Sequence, residues 1–321
     1  MTRITSLLLI AAMWAGSAAA QTTYPNRVVT LVVPTSSGSG ADSIGRILGP
    51  RLHERWRQAV VVDNKPGASG NIGATAVAKA KPDGLTLLIS TNALTMAPYL
   101  YKERPFDPIA DLAPVIKFGV AGFCLVANPA FPANDVAGAI ALAKSKPGQV
   151  NYATPGNGTP HHLGMELLKL RTGADFTHIP YKGISGAISD VLGGQVPMMF
   201  ATLHSVLPLV TAGKLKLLAV TGARSPLAPK TPTFREQGLG YMDEAIDGWY
   251  GLFAPAGTPP EIIAKLHADM SAVLAVPEVR EKLGHQGVEV QASSPAELAA
   301  LVRSDVARWR KVVADAKITA D

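Results

Sequence analysis

The chain has 321 residues, 47% of them hydrophobic and 17% charged, with a formal net charge of +6. That balance excludes a disordered chain, and the length suits two ordinary domains, each with its own core. Basic residues are scattered and aromatics amount to 6%, which argues against a nucleic-acid surface, while the mild basic excess favours encounter with anionic solutes. Residues 1–20 carry Arg3, a short apolar run from Leu7 to Trp14, and Ala18-Ala19-Ala20 before Gln21, the pattern of a cleaved secretory signal. The run is shorter than the roughly 20 residues a membrane span needs, and no second long apolar stretch follows. No Cys stands at the cleavage point to carry a lipid. The mature chain is therefore expected to be exported and not membrane-embedded.

After the signal, Val28 to Val33 reads as a strand and Asp42 to Arg55 as a helix, with Ile44, Ile47, Leu48 and Leu52 at helical spacing. A strand over 60–62, a small-residue helix over 71–79 and a strand over 85–90 follow. This alternation implies parallel pairing. A second α/β unit runs through strands at 123–127, 150–153, 176–179, 198–201 and 215–220. Its helices lie at 136–144, 162–170, 187–192 and 206–212. Trp249 to Ala254 reads as a further strand. Helices then begin at Pro259, Pro277 and Pro295, where a first turn tolerates proline, with Ser294 as cap of the last. The fold class is α/β. Lobe 1 is expected to comprise residues 21–122 plus 247–321, and lobe 2 residues 123–246. Two crossovers, near 122 and 247, would form a hinge with a cleft between the lobes.

Three loops leave a strand and enter a helix, where unpaired N–H groups and partial positive charge make an anion site. The first is Thr35-Ser36-Ser37-Gly38-Ser39-Gly40, in which glycines let a ligand approach and hydroxyls add donors; Asp42 is expected to cap the helix. The second runs from Gly156, Asn157, Gly158 and Thr159 to His161. The third is Tyr181-Lys182-Gly183 through Ser185 to Ala187, with Tyr181 expected to line the cleft and Lys182 to attract an anion. A dinucleotide fingerprint fails because Ser43 stands at the third glycine position, and no P-loop lysine follows. Gly-x-Ser-x-Gly does not occur, so a nucleophile elbow is absent. His161 and His162 are adjacent and on a helix point about 100° apart, a poor geometry for a shared metal. No metal and no cofactor is expected. Cys124 is the only cysteine and sits in an apolar run, so it reads as a buried strand residue.

Taken in order, several stretches resemble the substrate-binding proteins of tripartite tricarboxylate transporters, the Bug-type receptors. They are Leu31-Val32-Val33-Pro34 with Gly38 and Asp42, Val60-Val61-Val62-Asp63-Asn64-Lys65-Pro66-Gly67, and Pro82-Asp83-Gly84. Tyr152-Ala153-Thr154, His178-Ile179-Pro180-Tyr181-Lys182-Gly183, Gly193-Gly194-Gln195-Val196 and Trp249-Tyr250-Gly251 continue the match. The resemblance implies a periplasmic, two-lobed, type II-like Venus-flytrap receptor, a monomer and not an enzyme, that passes a small carboxylate to membrane transporter subunits. It implies a carboxylate held largely by backbone N–H groups, hydroxyls and water. The residues implied are Thr35 to Gly40, Thr91, Gly156 to Thr159 with His161, Lys182, Gly183, Ser185, Ala187, Ala201 and Thr202. The loop after Pro34 departs from the family pattern in lacking an aromatic residue, which leaves room for an aromatic carboxylate. The alternatives are a receptor feeding a membrane sensor kinase and an exported hydrolase with a cleft site.

Overall fold

The computed structural model describes residues 24–101, 104–222, 224–225, 228–242, 248–315 and 318. The expected signal segment, and residue 247 where the chain is expected to return, lie outside the described residues.

Strand β1 (Val29–Val33) is a buried β-branched run, and it is followed by helix α1 (Gly40–Trp56). Ile44, Leu48, Leu52 and Trp56 recur every four residues along α1 and bury one stripe against the sheet. Ser39, not Asp42, caps this helix: its hydroxyl accepts the Asp42 N–H at 3.3 Å. Strand β2 (Val60–Asn64), helix α2 (Asn71–Ala78) and strand β3 (Thr86–Thr91) follow. Both β2 and β3 pair parallel with β1, as the alternation predicts. A short turn of helix, α3 (Ala93–Met96), leads towards strand β4 (Leu112–Ala121). Sequence reading passes over β4 because Pro114, Lys117 and Gly119 interrupt its alternation.

From β4 the chain passes through Gly122 into β5 (Phe123–Ala127) and a second sheet. There follow α4 (Val136–Ser145), β6 (Val150–Thr154), α5 (Pro160–Thr172) and β7 (Phe176–Pro180). Next come α6 (Ile184–Leu192), β8 (Met198–Thr202), α7 (Leu203–Thr211) and β9 (Lys216–Val220). This sheet has the order β7-β6-β8-β5-β9; β6 pairs parallel with β7 and β8, while β5 runs antiparallel to β8 and β9. Cys124 lies on β5, fully buried.

Strand β10 (Gly248–Pro255) returns to the first sheet and inserts antiparallel between β3 and β4. Helices α8 (Pro260–Leu274) and α9 (Pro277–His285), strand β11 (Val288–Val290) and helix α10 (Pro295–Asp315) complete the chain. The first sheet has the order β11-β4-β10-β3-β1-β2. The two strands that lead across the molecule, β4 and β10, are therefore neighbours, with Gly248 opposite Ala121. A Cβ at Gly248 would run into the Ala121 carbonyl and lie 2.7 Å from the Phe123 ring, so only glycine lets the two crossings pack this closely.

Helix α10 starts as expected at Ser294, in a capping box with Glu297: the Glu297 N–H donates to Ser294 Oγ at 3.2 Å, and the Ser294 N–H to the Glu297 carboxylate at 2.7 Å. Its residues divide between two apolar clusters. Leu298, Val302 and Val306 pack with Val32, Leu88, Trp249 and Phe253 of the first sheet. Trp309, Val312 and Val313 pack with Tyr152, Leu163 and Phe200 of the second.

Candidate functional site

Between the two sheets lies a cleft of about 600 Å³. Its walls are the carboxyl ends of parallel strands and the loops that follow them, where open α/β sheets place their ligands. From the first lobe come Thr35, Ser36, Gly38, Ser39 and Gly40 after β1, Pro66, Gly67, Ser69 and Gly70 after β2, and Thr91 and Asn92 after β3. From the second come Gly158, Thr159 and His161 after β6, Lys182 and Gly183 after β7, and Thr202, His204 and Ser205 after β8. Phe123, Gly248 and Tyr250 close the back, beside the crossovers.

The loop after β1 is held in shape before any ligand arrives. Thr35 and Ser39 hydroxyls lie 2.6 Å apart, and Asn64 donates to the Thr35 carbonyl at 3.1 Å. The Asp42 carboxylate accepts the Gly38 N–H at 2.8 Å and Arg46 Nε at 3.0 Å. Burial opposes its charge, but the Arg46 guanidinium and the Gly38 N–H hold its carboxyl down at about 2. Asp42 is thus neutralised within its own helix, and the first turn of α1 faces the cleft without a competing anion. The loop after β6 is built alike: Thr159 Oγ1 accepts the His162 N–H at 3.4 Å and donates to the Gly156 carbonyl at 2.9 Å. The Gly183 N–H donates to the Pro155 carbonyl at 3.0 Å, tying the β7 loop to the β6 loop.

The electrostatics follow from this placement. The N-termini of α1, α2, α5, α6 and α7 all meet the cleft, through Gly40, Gly70, His161, Ile184 and His204. Among the described residues the wall carries Lys182 and no Asp or Glu. Partial positive charge from helix ends, with no carboxylate on the described wall and Asp42 paired with Arg46 behind it, makes the interior a seat for an anion.

The profile of the tripartite tricarboxylate transporter family receptor matches residues 44–318. The chain belongs to this family. It is similar to protein BugT of Bordetella pertussis strain Tohama I, 35% identical over 318 residues, 98% of this chain and 97% of the relative. Among solved structures it is similar to Rpa4515 of R. palustris with adipate, at TM-score 0.82 and 35% identity, covering 92% of this chain and 99% of that one. It is likewise similar to MatC (Rpa3494) from Rhodopseudomonas palustris with bound malate, at TM-score 0.80 and 32% identity, covering 90% of this chain and all of that one. The two-lobed arrangement is that of solved periplasmic binding proteins of the Bug type.

Within this receptor the sequence candidates separate. Thr35, Ser36, Gly38, Ser39, Gly40, Thr91, Gly158, Thr159, His161, Lys182, Gly183 and Thr202 come together on the cleft wall. Six others are not among its lining residues. The Ser37 hydroxyl is 3.4 Å from Asp42, within its own loop. The Gly156 carbonyl is occupied by Thr154 and Thr159, and the Asn157 carbonyl lies 3.4 Å from Ser69 Oγ. Ser185 is exposed, and Ala187 and Ala201 are buried in the core of the second lobe. Tyr181 also departs from expectation: its hydroxyl turns away to donate to Asp190 at 2.5 Å.

The sequence reading misses the loop after β2, in which Gly67, Ala68, Ser69 and Gly70 all have positive φ. Its strand-to-helix position and paired glycines are the signal that marks the other loops. His204 and Ser205 have no such signal, because α7 begins directly where β8 ends. Tyr250 is reached only through the tertiary fold; burial pushes its phenol up to about 12, and its hydroxyl sits against Gly40.

Proposed function

We propose that this chain is a periplasmic solute receptor that closes its two lobes on a small carboxylate and delivers it to a tripartite tricarboxylate-type membrane transporter. The observation that carries this reading is the meeting of five helix N-termini on a cleft whose described wall has no carboxylate. The adipate and malate bound in two similar structures support the same ligand class. No described helix is long and apolar enough to cross a membrane, which accords with a receptor handed to separate membrane subunits.

The ligand's first carboxylate docks on the preformed loop 35–40. The second lobe then brings the loops after β6, β7 and β8 onto its other end. Charge-assisted hydrogen bonds contribute roughly 1.5–3 kcal/mol each. A few of them, less the costs of association and closure, give affinities in the micromolar range, about −8 kcal/mol. Binding without turnover is favoured because Ser205 Oγ donates to the Thr202 carbonyl at 2.7 Å and Ser39 pairs with Thr35, so neither hydroxyl is set against a histidine. The cleft volume and the rings of Phe123, His161, His204 and Tyr250 on its wall suit a benzene carboxylate as well as an aliphatic chain.

Thermal unfolding against a carboxylate panel tests this reading, with sugars and divalent cations as controls. A true ligand at about 100 times its Kd adds roughly 2.7 kcal/mol and raises the midpoint. A shift given only by sugars or cations would sink the carboxylate reading.

A further inference from the structure

The loop after β6 is held from behind by two histidines that are not on the cleft wall. His162, in the first turn of α5, is buried, and its Nδ1 accepts the Gly158 N–H at 3.2 Å. A backbone N–H can only donate, so Nδ1 carries no proton and the ring hydrogen sits on Nε2, 3.8 Å from Glu166 Oε1. The His178 ring, from β7, stacks on the His162 ring with centroids 4.0 Å apart. His178 Nε2 lies 2.6 Å from Thr154 Oγ1, which accepts the Gly156 N–H at 3.3 Å and donates to the Gly156 carbonyl at 3.2 Å. The stacked pair thus fixes the loop at Gly156 and again at Gly158, the glycine that Leu100 and Ser69 of the first lobe approach.

Gly158 lies just ahead of the Thr159 cap, so its buried N–H has no carbonyl of α5 to bond. His162 Nδ1 is the acceptor that the chain supplies four residues on. Resting on the receptor reading, we propose that His162 is the positioning residue of this loop: it holds Gly158 where the lobes close on the ligand for as long as Nδ1 is unprotonated, and a proton taken up there frees the loop and weakens binding.

The groups around the ring decide when that proton arrives. On its own helix are Glu166 and Lys169, paired at 2.8 Å; on β7 is His178; on β6 the Tyr152 phenol donates to Glu166 at 2.8 Å. Helix α10 and strand β8 also pack on α5 and bring Trp309, Met198 and Phe200 to the shared cluster, none of them charged, and the first lobe adds Leu100 and the Tyr99 and Tyr101 phenols. The one carboxylate near His162 is therefore already engaged by Lys169 and Tyr152, and two protonated rings 4.0 Å apart would repel. Burial pushes His162 down to about 4, the Lys169 ammonium adding to it, and burial pushes His178 down to about 3, with His162 adding to it. The His162 ring is neutral near pH 7 and the loop is fixed there; the hold is lost as the pH falls through about 4.

Titration calorimetry on the purified chain, with the best binder among malate, adipate, terephthalate and benzoate, tests this. Near neutral pH, His162→Leu should weaken that acid about tenfold, and His162→Asn, whose Oδ1 accepts the Gly158 N–H without titrating, should recover it to within about threefold. Dividing the wild-type affinity by that of His162→Asn cancels protonation of the acid itself. The ratio should be flat between about pH 8 and about pH 6 and fall about twofold by about pH 4, where the ring is half protonated. Nitrogen NMR on the ligand-free chain supplies a second readout: His162 should carry its hydrogen on Nε2, and the Gly158 amide signal should move with the same midpoint as the ring. Circular dichroism checks that each variant is folded. A folded His162→Leu that binds like the wild type, a ratio flat down to about pH 4, or a Gly158 amide indifferent to the titration of the ring would overturn the proposal and leave the receptor reading intact. The NMR outcome decides even if His162→Leu does not fold. Failure of every acid to bind the wild type would remove both readings.

Discussion

Asp42 shows how a single charged side chain can serve the site without touching a ligand. It is almost wholly buried, yet its carboxylate is matched by Arg46 and by the Gly38 N–H. Because its carboxyl is held at about 2, below the ordinary carboxylate value, its contribution to stability is complete above that ordinary value and drains away as the pH falls through about 2. Asp42→Asn should cost about 1–3 kcal/mol at neutral pH, read as a lower urea midpoint, because the Gly38 N–H and Arg46 lose a charged acceptor. The same variant should narrow its deficit in acid. A deficit that stays constant down to about pH 2 would show that the ion pair is not what stabilises the loop.

At the scale of elements, α10 reaches both lobes. Twenty-one residues at about 1.5 Å each give it a length of roughly 30 Å, enough to run from the core of one lobe to that of the other. Trp309 is fully buried within the second lobe's cluster. Trp309→Ala should therefore cost about 3–5 kcal/mol, whereas Ser304→Ala, on the exposed face of the same helix, should stay within about 0.5. Urea titration of the two variants decides this. Equal midpoints would mean that the end of α10 contributes nothing to the second lobe's core.

At the scale of the molecule, function rests on how the lobes meet. Gly158 has φ of +68°, and a Cβ there would collide with Leu100 and lie 3.3 Å from Ser69 Oγ, both across the cleft. This is the point where the loop after β6 touches the first lobe, and Ser69 lies 3.4 Å from the neighbouring Asn157 carbonyl. Gly158→Val should weaken carboxylate binding about tenfold, about 1.4 kcal/mol, by holding the lobes apart. Pairing it with Leu100→Ala should recover part of the loss, because strain at positive φ persists while the collision is relieved. Unchanged affinity in the single variant would show that closure does not pass through this contact.

What the sequence determined by itself is the set of local patterns. Residues 123–127 read as a strand and fold as one, because five consecutive apolar residues suit a strand buried on both faces. The loops at 35–40 and 156–161 were legible because glycines and hydroxyls between a strand and a helix have a local physical cause. Ser294 was legible as a cap because the capping box spans only four residues. Tertiary structure alone decided which side chains face each other. It set β4 in the sheet through pairing with β10 and β11, despite its broken alternation. It turned Tyr181 towards Asp190 and away from the cleft, and it put Ser69, Tyr250 and His204 on the wall. Local conformation depends on neighbours a few residues away, so sequence carries it. The presence of both His161 and His204 on the cleft wall depends on two helices joined through separate strands, and only packing of the whole lobe puts them there.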